Sequence, residues 1–406
     1  MVAGWRVICD DYLGLYNPLG AMALMFLLML RKVVMDLSLK KYLVIALLEA
    51  FAVSLAIGIG LIRFRAVIQR FIKSRGDHLA VQASHTGDPL RLGGVPVVSG
   101  ILFGTATLAS LSSGDFSYFL FLSLLPLFFA GFFEDIGFRV SVRLRFLASV
   151  FAASIAVVLL GHWISRGDLL VLDVVMGFVP AGVFFTILLA ALFCHAVNFI
   201  DGMNGLAATA IVASALGIAY VAAETGFHQA AVLALLLAAA TLGFQLLNWP
   251  SAKLFLGDAG AYGLGHILIW LAISVIASSP GVAVPAMILI SFYPFADLFH
   301  TVLRRVLSNQ GITKPDRMHL HQKIRRGLEI IWIGRGRRHI SNPLTTALLL
   351  PMIGGPVLVG ALYWDQPVAA WVGVVAFSIV FAGSHVVVTR ISRRKRKRSV
   401  VNGFSR

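Results

Sequence analysis

The chain has 406 residues, of which 59% are hydrophobic and 13% are charged. Soluble globular proteins have about 25% charged residues, so this composition excludes an ordinary soluble enzyme and indicates a membrane protein. The formal net charge of +16 comes from basic residues in the loops between apolar runs, so it reports membrane topology, and no nucleic-acid partner is expected.

Apolar runs of membrane-spanning length follow one another along most of the chain. They predict an all-α, polytopic transmembrane bundle of about 11 spans in contact with the lipid bilayer. A shorter apolar run, residues 19–30, is expected to be an interfacial helix or sequence upstream of the true start. The predicted spans are residues 42–62, 92–111, 117–133, 146–164, 178–197, 206–223, 230–248, 262–278, 284–303, 344–363 and 369–388.

The apolar runs also divide the chain into three parts. Residues 1–41 are an N-terminal extension, residues 42–388 form the polytopic domain, and residues 389–406 are a basic tail. Lys and Arg concentrate on one side of the spans, whereas Arg166 is the one basic residue in the loops of the other side. Cytoplasmic loops accumulate Lys and Arg, so the basic side is expected to be cytoplasmic. Its loops are residues 63–91, 134–145, 198–205, 249–261 and 304–343.

The distinctive polar clusters all fall at the predicted cytoplasmic ends of the spans. A transporter would instead place ionisable residues near the middle of its spans. This arrangement therefore favours a site on the cytoplasmic face that meets a water-soluble substrate from the cytosol and a lipid from the bilayer. The clusters are residues 84–86 with Arg91, residues 134–135, 198–205, 248–260 and 316–321.

The side chains in these clusters are those that phosphoryl transfer needs. Oxygen ligands of the kind that Mg²⁺ accepts, alongside waters and phosphates, come from Glu134, Asp135, Asn198, Asp201 and Asp258. Basic groups suited to phosphoryl oxygens are Arg91, Arg317, His319 and His321. Together they predict Mg²⁺-assisted phosphoryl transfer from a nucleotide diphosphate, with Mn²⁺ as an alternative cofactor.

In these same clusters the sequence resembles the polyprenyl-phosphate N-acetylhexosamine-1-phosphate transferases, relatives of the phospho-N-acetylmuramoyl-pentapeptide transferase. Residues 198–206 resemble the N-x-x-D-G-x-D-G-L motif of that family, and residues 255–260 resemble its F-x-G-D-x-G. Residues 131–135 resemble G-x-x-D-D, residues 316–321 resemble D-R-x-H-x-H, and residues 85–94 are similar to the first cytoplasmic motif. The resemblance runs in order from about residue 42 to about residue 330.

The sequence departs from the family motifs at four places, one of them residues 88–90, which interrupt the usual Thr/Pro-rich stretch of the first motif. Glu134 replaces the first Asp of the acidic pair, Asn204 replaces the second Asp of D-G-x-D, and Ala261 stands where Ser is usual. Glu134 and Asn204 still carry oxygen ligands, so activity is expected to survive these changes.

The resemblance implies a role for each motif residue. Asp258 and Asn198 are the expected metal ligands. The expected catalytic residues are Glu134, Asp135, Asp201, His319 and His321, with Asp135 positioning or deprotonating the lipid phosphate and the two histidines facing pyrophosphate. The expected substrate-binding residues are His85, Arg91, Asp201, Asn204, Asn248, Phe255 and Arg317, with Asp201, Asn248 and Phe255 in a uridine pocket.

The resemblance also implies a reaction. An N-acetylhexosamine-1-phosphate of the GlcNAc type passes from a UDP-sugar to undecaprenyl phosphate and UMP leaves. This would be the first membrane step of O-antigen (lipopolysaccharide) or another cell-envelope polysaccharide, at the bacterial inner membrane. The alternatives are the pentapeptide transferase of peptidoglycan synthesis, a transporter of nucleotide sugars or lipid-linked sugars, and an inactive scaffold. The identity of the sugar, a direct or two-step route, and a monomer or homodimer stay open.

Overall fold

A computed structural model describes residues 40–72, 90–109, 115–309, 318–334 and 336–403. Its regular elements are helical, and one isolated bridge pairs Leu90 with Leu254. The apolar run at residues 19–30 lies outside the described residues. The helices are α1 (Lys40–Arg63), α2 (Arg65–Phe71), α3 (Gly94–Ala109), α4 (Phe116–Asp135), α5 (Val142–Leu160), α6 (Leu170–Gly177), α7 (Val179–Ile200), α8 (Leu206–Glu224), α9 (His228–Asn248), α10 (Gly257–Ser278), α11 (Val284–Ile290), α12 (Phe292–Leu307), α13 (Leu320–Leu328), α14 (Arg338–Leu362) and α15 (Pro367–Gly403), with a π-helical turn (Glu329–Ile333) after α13.

Within the described ranges, nine helices are long and apolar enough to cross a membrane: α1, α4, α5, α7, α8, α9, α10, α14 and α15. The prediction of an all-helical, polytopic bundle is confirmed. The described residues hold nine such helices, or ten spans if α11 and α12 together form one, where about 11 were expected. The difference is α3, which has 16 residues where a span needs about 20.

That broken span consists of α11 and α12, which meet at an angle of 89°. Pro294, the third residue of α12, has no N–H, and in a continuous helix its ring would clash with the carbonyl of Ile290. The Ile290 carbonyl instead accepts a hydrogen bond from the Ser214 hydroxyl of α8 at 2.6 Å. The span expected at residues 284–303 is therefore a bent pair of helices, and the carbonyl freed by the break is satisfied by a neighbouring helix.

Helix α10 is the centre of the bundle. Every residue from Gly257 to Ile276 is buried, and α10 packs against α3, α4, α5, α7, α8, α9 and α11. The approach of α4 requires a glycine, because a Cβ on Gly131 would lie 2.5 Å from the backbone nitrogen of Ala259. The ends of several helices thereby gather around the first turn of α10.

The two ends of the bundle are joined by different contacts. At the end where α10 begins, Asp135 accepts a hydrogen bond from the backbone of Asp258, and Asn248 accepts one from Gly205. At the opposite end, Arg166 donates to the carbonyl of Val282 at 2.6 Å. Loops 134–145, 198–205 and 249–261 therefore lie together at one end, away from Arg166.

Candidate active site at the start of helix α10

The first turn of α10 is held by two carboxylates from neighbouring helix ends. Asp135, the last residue of α4, accepts hydrogen bonds from the backbone N–H groups of Asp258 at 2.9 Å and Ala259 at 2.8 Å. Asp201, which follows α7, accepts one from the N–H of Gly257. These N–H groups have no acceptor within their helix and carry partial positive charge. Asp135 and Asp201 thus fix the helix end that carries Asp258.

The Asp258 side chain is gripped by two arginines. Its Oδ1 accepts from Arg91 Nη2 at 2.8 Å, and its Oδ2 is paired with Arg145 Nη1. Arg91 Nε also lies 3.8 Å from Asp135 Oδ1, and 40% of the Arg91 side chain is exposed, compared with 3% for Asp258. Arg91 therefore connects a buried carboxylate to the exposed surface at this end of the bundle.

Glu134 joins this group through Arg145. Its Oε2 accepts from the backbone of Val140 at 2.7 Å, and its Oε1 lies 4.0 Å from Arg145 Nη1. The departure from Asp at this position thus keeps a carboxylate in the site, and the same side chain orders the turn between α4 and α5. We call Glu134, Asp135, Asp201 and Asp258, with Arg91 and Arg145, the carboxylate cluster.

The carboxylate cluster holds four acidic and two basic side chains, and the pKa of Asp201 reflects its burial among them. Burial raises the pKa of Asp201, Arg91 lowers it, Asp258 raises it and the hydrogen bond from Gly257 lowers it, with a net result well above the usual value. Adding positive charge would relieve the repulsion between these neighbouring carboxylates.

The donor atoms of this cluster fit Mg²⁺. Within the ranges described, no three His, Cys, Asp or Glu side chains form a complete metal cage. Mg²⁺ does not need one, because it binds through one or two carboxylates plus phosphates and waters. A carboxylate oxygen has two lone pairs, so Asp258 can meet a cation while keeping its arginines.

Asn198 of α7, the second predicted ligand, contacts α10 one turn after Asp258. Its Nδ2 donates to the hydroxyl of Tyr262 at 2.8 Å, and Tyr262 stands one turn after Asp258 in α10. The amide oxygen is the atom that Asn198 would offer to a cation, since the nitrogen is the donor in this contact. The ligand roles of Asn198 and Asp258 stay predictions.

Three predicted substrate-binding residues are buried, and the side chains of two of them brace loops. Asn248 accepts from the backbone of Gly205 at 2.5 Å and donates to the carbonyl of Leu254 at 2.7 Å. Asn204 donates to the carbonyl of Pro250 at 2.7 Å, which the Asp of the family motif could not do when ionised. Phe255 is 4% exposed. All three are buried, and their substrate contacts stay predictions.

The two predicted catalytic histidines form a separate group beside the carboxylate cluster. His319 caps the start of α13, and its Nδ1 lies 2.6 Å from Asp297 Oδ2. The ring of His321 is nearly parallel to that of His319, with centroids 5.4 Å apart. The His319 ring also lies 5.9 Å from that of Phe199, which follows Asn198 in the chain. Phe199 thus connects the histidines to Asn198, a predicted metal ligand.

His321 is in a setting that keeps it neutral. Burial lowers its pKa, Asp297 raises it, and His319 and Arg325 lower it, with a net value of about 4. The ring is therefore uncharged at neutral pH, and its predicted contact with pyrophosphate stays a prediction. Two further predicted residues, His85 and Arg317, lie outside the described residues.

Arg145 is the site residue that the sequence reasoning missed. The sequence indicates only a basic residue of the loop 134–145, yet Arg145 lies in the first turn of α5 and pairs with Asp258. Its position in the sequence is the available signal. Arg145 follows Asp135 by ten residues, so a single turn between two helices can bring its side chain back to the acidic pair.

Comparison with known proteins agrees with the motifs. Residues 117–276 match the model of glycosyl transferase family 4. Over 133 residues the chain is 35% identical to a Bacillus subtilis protein named "Probable undecaprenyl-phosphate N-acetylglucosaminyl 1-phosphate transferase", covering 32% of this chain and 37% of the relative. Over 239 residues it is 27% identical to decaprenyl-phosphate N-acetylglucosaminephosphotransferase of Mycobacterium leprae, covering 53% and 56%.

A shorter match is to a pentapeptide transferase. Over 93 residues the chain is 34% identical to phospho-N-acetylmuramoyl-pentapeptide-transferase of Streptococcus sanguinis, covering 23% of this chain and 28% of the relative. The chain thus spans between 28% and 56% of the lengths of these curated relatives. The comparisons confirm the resemblance read from the motifs: the segment 117–276, which carries Asp135, Asp201 and Asp258, is similar to glycosyl transferase family 4.

Proposed function

We propose that this chain transfers N-acetylhexosamine-1-phosphate, of the GlcNAc type, from a UDP-sugar to undecaprenyl phosphate and releases UMP. The observation that carries the proposal is the convergence of four carboxylates and two arginines on the first turn of α10. The four carboxylates and Arg145 lie in the segment that matches the family, residues 117–276. The names of the relatives in Bacillus and Mycobacterium support a polyprenyl phosphate acceptor and a GlcNAc-type donor.

The reaction forms one bond and breaks one. An oxygen of the lipid phosphate attacks the β-phosphorus of the UDP-sugar, and the bond from that phosphorus to the bridging oxygen breaks, so UMP leaves with the electron pair. A phosphate monoester has its second pKa near 6, so the attacking oxygen is already ionised at neutral pH. A protein base is therefore unnecessary, which suits Asp135, whose two oxygens accept peptide N–H groups.

The chain's own residues position the reacting groups and neutralise the charge of the diphosphate. Arg91, the more exposed of the two arginines that hold Asp258, is the guanidinium best placed to meet the anionic diphosphate. Arg145 pairs with the Asp258 carboxylate, and Asp135 holds the backbone N–H of Asp258. Asp258 and Asn198 would hold Mg²⁺, which when bound neutralises the diphosphate and so reduces the repulsion between two anions.

A single displacement fits this arrangement better than a phosphorylated aspartate. The Asp135 oxygens are turned onto backbone N–H groups, and the Asp258 oxygens are turned onto arginines. A nucleophilic carboxylate would have to give up these contacts before it could attack phosphorus. We therefore propose direct attack by the lipid phosphate.

We further propose that the site faces the cytoplasm of a bacterium, from the inner membrane. The support is the position of the carboxylate cluster at the end of the bundle opposite Arg166, on the side where Lys and Arg concentrate. The product would then be the first lipid-linked intermediate of a cell-envelope polysaccharide such as O-antigen.

The test is a transfer assay on purified protein with Mg²⁺, undecaprenyl phosphate and UDP-GlcNAc labelled in the sugar. The proposal expects UMP together with label in the lipid phase. Asp258→Asn should abolish both, whereas Asp173→Asn, at the opposite end of the bundle, should not.

Other outcomes identify the alternatives. Greater product with UDP-N-acetylmuramoyl-pentapeptide than with UDP-GlcNAc would assign the chain to the peptidoglycan branch. Uptake of label into vesicles without UMP would indicate a carrier, and inertness with every UDP-sugar would indicate a scaffold. Omitting Mg²⁺ and then restoring Mg²⁺ or Mn²⁺ tests the cofactor.

A further inference from the structure

Asp297 is a buried acid in the broken span that the proposed mechanism has not used. It is 1% exposed, and its neighbour His319 is 3% exposed. Asp297 Oδ2 lies 2.6 Å from His319 Nδ1, and its Oδ1 accepts from the backbone N–H of Leu320 at 3.4 Å. One carboxylate therefore holds both the ring of His319 and the first residue of the helix that follows it.

The contact determines which nitrogen of His319 can act on a substrate. An ionised carboxylate can only accept hydrogen bonds, so the proton between Asp297 and His319 lies on Nδ1. Any contact of this ring with a substrate phosphate is then made by Nε2. A carboxylate that fixes tautomer and ring orientation in this way is a common device around functional histidines.

The break between α11 and α12 is what brings Asp297 to this position. Helix α12 turns by 89° and packs against α7, the helix that carries Asn198. On the same helix, the ring of His300 stacks on His385 of α15 with centroids 3.8 Å apart. The orientation of α12, and with it Asp297, is thus fixed from two sides.

His319 lies where such orientation would matter to the reaction. Its ring contacts Phe199, which is two residues before Asp201 of the carboxylate cluster. We propose that Asp297 is the positioning residue of His319, holding the ring through Nδ1 so that Nε2 meets a substrate phosphate. This inference rests on the proposed function for its kinetic test.

The kinetic test is a double-mutant cycle on UMP release. Asp297→Asn should lower kcat on the order of 10–100-fold, as for other residues that orient a functional group, with KM for the UDP-sugar changed by less than about threefold. If Asp297 acts only through His319, the double variant Asp297→Asn/His319→Ala should be no slower than His319→Ala alone. Asp297→Glu should recover part of the lost kcat.

The matched control is Asp168→Asn. Asp168 also accepts from the first backbone N–H of a helix, that of Val284 at 2.6 Å, and also pairs with a basic side chain, that of Arg166. It lies at the opposite end of the bundle, so its loss should lower stability and leave kcat within about twofold of the wild type. Equal kinetic losses in Asp168→Asn and Asp297→Asn, or multiplied losses in the double variant, would overturn the proposal.

A second measurement does not depend on turnover. In wild-type protein labelled with ¹⁵N-histidine, the ring signals of His319 are identified as those absent from His319→Ala. Their chemical shifts should show a protonated Nδ1 at pH 8. An unprotonated Nδ1 would overturn the positioning role even if UMP release is normal. A protonated Nδ1 in a protein that releases no UMP would contradict the proposed function alone.

Discussion

Replacing Asp135 by Asn separates a positioning role for this carboxylate from a role as a general base. In the wild type, both oxygens accept backbone N–H groups of α10, at 2.9 and 2.8 Å, and the side chain is fully buried. Asn keeps one acceptor but turns an NH₂ group towards the other N–H. The change removes one charge-assisted hydrogen bond, worth about 1.5–3 kcal/mol, and a helix-dipole interaction of about 0.3–1 kcal/mol.

The total of about 2–4 kcal/mol corresponds to roughly 30-fold to several hundred-fold, at 1.4 kcal/mol per decade. We expect Asp135→Asn to lower both the melting temperature and the rate of UMP release. Because a positioning contact does not depend on removing a proton from the lipid phosphate, the ratio of wild-type to variant rates should be the same at pH 6 and pH 8. A loss much larger at pH 6, with unchanged melting, would refute this reasoning and make Asp135 a base.

Three further variants test other parts of the structure. Arg145→Ala should lower UMP release by roughly 100-fold, in the range for removing one electrostatic donor. The control Arg143→Ala changes an exposed arginine and should stay near wild type. Equal losses in the two variants would contradict the place of Arg145 in the site. Ser214→Ala leaves the Ile290 carbonyl without its hydroxyl donor, so the melting temperature should fall by a few degrees for a cost of about 1–3 kcal/mol, and unchanged melting would contradict that contact. Gly257→Ala adds a Cβ that meets the carbonyl of Arg91 at φ +74°, so gel filtration should show aggregate, and a monodisperse, active variant would disprove the close approach.

The helical architecture was predictable because membrane spans leave a signal in each local stretch of sequence. Apolar length alone located most helices, and the polar residues at one set of helix ends indicated where a site would form. Asp135, Asp201 and Asp258 were found in this way, since each stands at the end or start of an apolar run. Their convergence needs only that helix ends on one side of a membrane lie near one another.

The break at residue 291 could not be read from the same signal. Pro294 interrupts an apolar run and the helix bends, yet Pro126 lies inside α4 and Pro351 inside α14, and both helices are continuous. The outcome depends on whether a neighbour satisfies the freed carbonyl, as Ser214 does for Ile290. That information lies in the packing and not in the local sequence.

The tasks of individual site residues were also hidden in the packing. An aspartate in a motif reads the same in the sequence whether its side chain binds a metal, a substrate or a peptide N–H group. Asp135 faces the backbone of α10, which has no sequence signature, and Asn248 is engaged by two loop backbones. Residue type therefore predicted the chemistry available to the site, but not the partner of each side chain.

In the proposed reaction the β-phosphorus of the UDP-sugar moves to the lipid. The most direct measurement uses UDP-GlcNAc labelled with ³²P at the β-phosphate, purified protein, Mg²⁺ and undecaprenyl phosphate. We predict that the label enters the lipid phase together with the sugar while unlabelled UMP stays in water. Label that stays in water as UDP while the sugar enters the lipid, or no transfer from any UDP-sugar by folded protein, would contradict the claim.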